Sequence, residues 1–138
     1  MANGDVTRVS HLRYLRNLPV AADAVIRRGD LVLATNAGGI CKPGQAVGSC
    51  KGVGIAQQDV DNTGGADGDK TTDVEQGVFL LSNSGTNTIA IADVGKKGTA
   101  YAEGVATVGN DSTGKSPVGA IVGLGWQNLA GVQVEIRS

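Results

Sequence analysis

The segment Gly109-Asn110-Asp111-Ser112-Thr113-Gly114-Lys115-Ser116 matches Gly-x-x-x-x-Gly-Lys-Ser, the pattern of a phosphate-cradling loop. In that chemistry backbone N–H groups surround the phosphates, the Lys reaches the terminal ones and the hydroxyl meets magnesium. Such a loop feeds a helix whose N-terminus faces the phosphate. Here Pro117 follows, and Val118-Gly119-Ala120-Ile121-Val122-Gly123 reads as a strand. Little chain remains to carry a metal-binding acid on a later strand. A hairpin loop is therefore expected, with no nucleotide. Asp59-x-Asp61-x-Thr63-Gly64 opens like a calcium loop, but Lys70 stands at the twelfth position, where a bidentate Glu is needed.

His11 is the only imidazole and would have to serve as the base of any Ser- or Cys-based nucleophile. It lies far in sequence from any framed Ser or Asp. Cys41 and Cys50 flank a turn-like segment, and a hairpin there could bring them together. Intracellular chains rarely keep disulfides, so two half-buried thiols are the expectation. A zinc site needs about four ligands, and only His11 could join the two Cys. The reading is no catalytic residue, no metal site and no cofactor.

The elements that would position these residues are β in character. At 138 residues the chain fits one domain with a core of its own. Lys and Arg number 12 against 13 Asp and Glu, so the broad basic field of a nucleic-acid binder is absent. Two Tyr, one Trp and one Phe are too few for a base- or sugar-stacking platform. These counts speak against most enzyme classes. No stretch suits a membrane helix: the longest uncharged run, Ser116 to Val134, is broken by Pro117, Gln127, Asn128 and several Gly. The N-terminus does not read as a signal peptide.

Strand-like segments rich in β-branched residues recur between Gly, Asn and Asp turns. They are Asp30 to Thr35, Val53 to Val60, Thr72 to Ser82, Thr88 to Ala92, Thr99 to Val108 and Val118 to Gln127. Val132, Val134 and Ile136 alternate with Gln133 and Glu135, so the last strand has one wet face. No long segment holds helical periodicity. A weak repeat relates Val25–Val32 to Val94–Tyr101 and Val53–Ala56 to Val118–Ile121. The expected fold is all-β: a small β-barrel, β-tulip or sandwich of two similar β units. Residues 29–138 form this β domain, and residues 59–75, with one Lys against six acids, form an exposed loop.

Residues 1–28 read as an extended N-terminal arm. Five Arg oppose two Asp there, and Val9, Leu12, Leu15 and Leu18 recur every three residues. Ser10 could cap a short helical turn that Pro19 ends, though so short a helix is marginal alone.

The series Gly29-Asp30-Leu31-Val32, Gly52-Val53-Gly54-Ile55-Ala56, Val74-Glu75-Gln76-Gly77-Val78-Phe79, Gly98-Thr99-Ala100-Tyr101, Thr113-Gly114-Lys115-Ser116-Pro117-Val118-Gly119 and Val132-Gln133-Val134-Glu135-Ile136 resembles the small capsid decoration (cement) proteins of tailed phages. The likeness runs over about residues 29–138, and the order of short motifs carries it. The resemblance implies a β-barrel or β-tulip, frequent homotrimers, no enzymatic activity, and a virion protein on the outer capsid surface, made in the host cytoplasm. Its partner would be the major capsid protein, with neither nucleic acid nor membrane involved. The arm is then the expected capsid contact, through Arg8, Val9, Leu12, Arg13, Leu15, Arg16 and Leu18. The competing classes are a P-loop-like nucleotide-binding accessory protein and a sugar- or calcium-binding surface module.

Overall fold

The computed structural model describes residues 7–8, 14–35, 38–42, 50–96, 99–104, 107–110, 115–126 and 129–136. Strands make up 61% and helix 4% of the chain, so the protein is all-β as its composition suggests. In chain order the strands are β1 (Thr7–Arg8), β2 (Tyr14–Pro19), β3 (Val25–Ile26), β4 (Leu31–Ala34), β5 (Ile40–Cys41) and β6 (Lys51–Ala56). Next come β7 (Val60–Asp61), β8 (Thr71–Asn83), helix α1 (Ile91–Lys96), β9 (Thr99–Gly104), β10 (Thr107–Gly109), β11 (Pro117–Trp126) and β12 (Leu129–Ile136).

The long strand β8 belongs to two closed or nearly closed systems. Its C-terminal part joins β12, β11, β9 and β10 in a five-strand barrel. The barrel closes where β10 returns parallel to β8, Thr107 opposite Ser82 and Val108 opposite Asn83. Its N-terminal part lies between β2 and β6, and that sheet continues through β4 to β5. A parallel bridge, Val20 to Ile40, brings the two ends of this second sheet together.

Each system has its own core. Phe79, Leu81, Ala100, Val108, Ile121, Val132, Val134 and Ile136 fill the barrel. Val20, Ala24, Ile26, Ile40, Val53 and Val74 fill the second space. Strand β4 separates the two: Leu31 and Leu33 face the barrel, while Val32 faces the other core. That explains why three successive apolar residues are buried without alternation, as expected of a strand covered on both faces. On β12 one face is solvated, and Val132, Val134 and Ile136 alternate with half-buried Gln133 and Glu135.

The internal repeat maps onto equivalent strand pairs. β4 runs antiparallel to β6, and β9 antiparallel to β11. The repeated Gly of each Val-Gly pair sits at a close approach. A Cβ on Gly54 would strike the carbonyl of Glu75, and one on Gly119 the carbonyl of Glu135. No side chain fits at either place, which is the physical content of the repeated motif.

Three expectations are corrected. Residues 14–19 are a strand, not the end of a helical turn, and Tyr14 to Pro19 pair residue by residue with Gln76 to Thr71. A helix of that length stands poorly alone, whereas the edge of β8 supplies a ready ladder. Thr88 to Ala92 is not a strand: the helix Ile91–Lys96 begins there, and the Asp93 carboxylate accepts the Ala90 N–H at 2.8 Å, an N-terminal cap. Finally, the segment after Gly109 is not a hairpin. β10 and β11 flank β9 from opposite sides, with Gly109 and Pro117 both opposite Tyr101, so the connection crosses over β9.

Candidate docking surface

The crossover carries the phosphate-loop pattern; its residues 111–114 lie outside the described set, but its end is clear. Lys115 is held by Glu103 at 3.1 Å, and the chain enters a strand, not a helix, at Pro117. Glu103 also accepts Ser84 Oγ–H at 2.7 Å and Asn87 Nδ2–H at 3.1 Å. Burial works to raise this carboxyl. The bonds from Ser84, Lys115 and Asn87 outweigh it and hold the group below the ordinary carboxylate range. Ser84 in turn accepts the N–H groups of Thr86 and Asn87. The cluster ties together the turn after β8, strand β9 and the crossover. The Ser84 hydroxyl and the Lys115 amine are both committed to this one carboxylate, so the lysine of the pattern is engaged within the fold.

The acidic segment is exposed but ordered by its own carboxylates. Asp59 accepts the Arg28 N–H, Asp67 the Ala22 N–H, Asp23 the Gly64 N–H and Asp69 the Ala66 N–H. Asp61 accepts both the N–H and the hydroxyl of Thr63, which lowers its pKa. These oxygens cap backbone rather than converge on a cation. Among the described residues no three His, Cys, Asp or Glu group as a metal site. The segment also ends earlier than its composition suggests, because Thr71 to Glu75 already belong to β8.

At the centre of the loop is Asn62, a residue that sequence patterning did not single out. It is 1% exposed, and its amide donates to the carbonyls of Ala21 at 2.9 Å and Ala66 at 3.0 Å. A longer bond reaches Val20 O at 3.4 Å. The one available signal was an Asn within an Asp/Gly-rich turn cluster.

Cys41 and Cys50 are buried thiols in different cores and form no disulfide. Burial first, and the neighbouring Cys50 second, push the Cys41 thiol up to about 11.

The residues expected to contact a capsid fall as follows. Val9, Leu12 and Arg13 lie outside the described residues, as does His11. Arg8 is in β1, opposite Phe79 of β8. Leu15, Arg16 and Leu18 are in β2 on the same strand, so the structure joins the N-terminal segment to β8 along one edge. Leu15 and the adjacent Tyr14 are exposed, while Leu18 packs against the second core. The chain enters that core at Val20, upstream of the change in composition near Gly29.

Beside β2 lies an apolar cleft of about 260 Å³, lined by Leu18, Pro19, Ala34, Ile40 and Val53 together with Arg16 and Gln76. Arg16 Nε donates to Gln76 Oε1 at 3.2 Å, and Gln76 Nε2 donates to Val53 O at 3.0 Å. Elsewhere, Val122, Leu124 and Leu129 on β11 and β12 are exposed. Leu124 is opposite Val132, and Trp126 opposite Leu129, so all three belong to the far part of one antiparallel pair. Among the described residues no helix is long and apolar enough to cross a membrane.

Comparison of the chain with protein-family models, curated proteins and solved structures finds no match.

Proposed function

We propose that this chain is a structural virion protein that binds the outer surface of a phage capsid through its major capsid protein and stabilises the shell, acting as a homotrimer and without catalysis. The observation that carries the reading is the N-terminal ribbon. β2 is paired to β8 along its whole length, yet it presents Tyr14 and Leu15 to solvent, 60% and 53% exposed. Large apolar side chains on a sheet edge suit contact with another protein. A standard interface buries about 1,200–2,000 Å². Many copies on one shell multiply a modest pairwise energy.

The second apolar area, Val122, Leu124 and Leu129, suits contact between copies. It lies on a different strand pair from β2, so shell binding and self-association use separate surfaces.

The test is co-sedimentation with shells lacking this chain. Saturable binding of copies in mutual contact is expected. Tyr14→Ser together with Leu15→Ser weakens it strongly and leaves the β fold intact, because both side chains are exposed; removal through residue 20 would instead strip β2 itself and the core side chain of Val20. A Leu124→Asp change separates the copies while each still folds. Absence of shell binding, or binding as isolated copies without mutual contact, refutes the proposal.

A further inference from the structure

The second sheet is closed everywhere by ladder pairing except along the seam between β2 and β5. Among the described residues, the Val20–Ile40 bridge is the one pairing that joins the two sides there. The seam opens into the apolar cleft beside Leu18, Ala34, Ile40 and Val53. Among the described residues β2 pairs on one side only, with β8. In a strand paired on one side, alternate backbone N–H and C=O groups point outward and are available to a further strand. The cleft measures about 260 Å³. A cavity of about 150 Å³ admits a benzene ring, so a single large apolar side chain fits here.

The charge at the cleft is specific. Among the described residues Arg16 makes no ion pair; its Nε bond to the neutral Gln76 leaves the two terminal nitrogens of the guanidinium to a ligand. A guanidinium in the wall of an apolar cleft favours a carboxylate, which it can engage with two parallel N–H···O bonds. Arg16 and Leu18 are two apart on β2 and share a face. An incoming strand beside them would present its matching side chains at the same spacing.

We propose that the cleft docks an extended peptide segment of a partner protein, one carrying a large apolar residue and a carboxylate two positions apart. The apolar side chain enters between Leu18, Ala34 and Ile40. The carboxylate meets Arg16, and the backbone adds to the open edge of β2. This inference does not rest on the capsid reading, since any protein with such a segment would satisfy it.

The test uses the full chain and a dye-labelled peptide, acetyl-Thr-Leu-Thr-Glu-Thr-amide, followed by fluorescence anisotropy. Saturable binding is expected. Replacing the peptide Glu by Gln, or Arg16→Gln in the protein, should each weaken it about tenfold, and both together little more than either alone. Arg16→Glu should prefer the peptide carrying Lys in place of Glu. Ala34→Leu fills the cleft and should remove binding. If that variant fails to fold, the peptide with Ser in place of Leu makes the same test on the native chain. N-methylation of the peptide backbone on its pairing edge should also abolish binding. No saturable binding at millimolar peptide overturns the proposal, as does affinity indifferent to Arg16. Binding of decanoate in its place, with the same dependence on Arg16 and Ala34, would make the cleft an amphiphile site and equally overturn it. Shell co-sedimentation is scored separately, so the two ideas fail independently.

Discussion

Asn62 organises the acidic loop by hydrogen bonds alone, and its removal has a calculable cost. The side chain bonds three carbonyls, and each keeps one backbone donor without it. Val20 O still accepts the Gly68 N–H, Ala21 O the Ala24 N–H and Ala66 O the Asp69 N–H. The loss per bond is therefore nearer the net value of a hydrogen bond, about 0.5–1.5 kcal/mol, than the full cost of an orphaned group. Two good bonds and one long one give about 2–3 kcal/mol for Asn62→Ala. For a chain of this size that shifts the melting temperature by on the order of 10 °C. Asn62→Asp keeps the shape but replaces the donor by a charged oxygen facing three acceptors. It should cost about 3–5 kcal/mol at neutral pH, as an uncompensated buried charge does. That carboxyl would have a raised pKa in the folded chain, so part of the loss should return as pH falls through it. Urea unfolding followed by circular dichroism measures both, and the slope against urea should stay constant. An Asn62→Ala loss below about 0.5 kcal/mol would refute the argument, since that is within the range of a neutral surface change. So would an Asp variant as stable as the Asn protein at neutral pH.

The remaining predictions concern the other polar groups. Lys115→Ala breaks one partly buried ion pair but leaves Glu103 its Ser84 and Asn87 donors, so a loss of about 1 kcal/mol or less is expected. Magnesium ATP should not raise the melting temperature of the native chain; a shift that Lys115→Ala removes would restore the nucleotide-loop reading. Asp30 is buried, and desolvation raises its pKa above the ordinary 3.8, against the bond from the Arg27 N–H. Its contribution is thus most favourable below 3.8 and is lost as pH rises through the raised folded value. Asp30→Asn, which keeps an acceptor for Arg27, should be at least as stable at neutral pH and should flatten the dependence of the urea midpoint on pH over that window. Asp30→Ala, which removes the acceptor, should be less stable than Asn. Cys41, with its thiol near 11, should react with a disulfide reagent far more slowly in the native chain than in urea; equal rates would show that the core around it opens.

The class of the fold and most of its strands are legible in the pattern of residues. Alternation on Val132, Val134 and Ile136 marks a half-buried strand because the pleat has a period of two, whatever lies beyond it. The paired Val-Gly motifs likewise foretold two equivalent strand pairs, because a close backbone approach leaves no room for a side chain at Gly54 or Gly119. Only tertiary structure could decide which strands neighbour one another. The crossover after Gly109 looks locally like a hairpin turn, and its true path is set by β9 lying between β10 and β11. Tyr14 to Pro19 have no strong local preference of their own, and the edge of β8, more than fifty residues away, makes them a strand. The same holds for the candidate site. The charge of Arg16 and its apolar neighbours single it out in the sequence. The cleft beside it is not legible there, since its wall comes from Leu18, Ala34, Ile40 and Val53, which only the closing of the second sheet brings together. Nor could the acids of the loop be told from a calcium site by spacing alone. What separates the two is the direction each carboxylate points, here toward backbone N–H groups of residues 22–28 and 63–66, and that direction exists only in the folded chain.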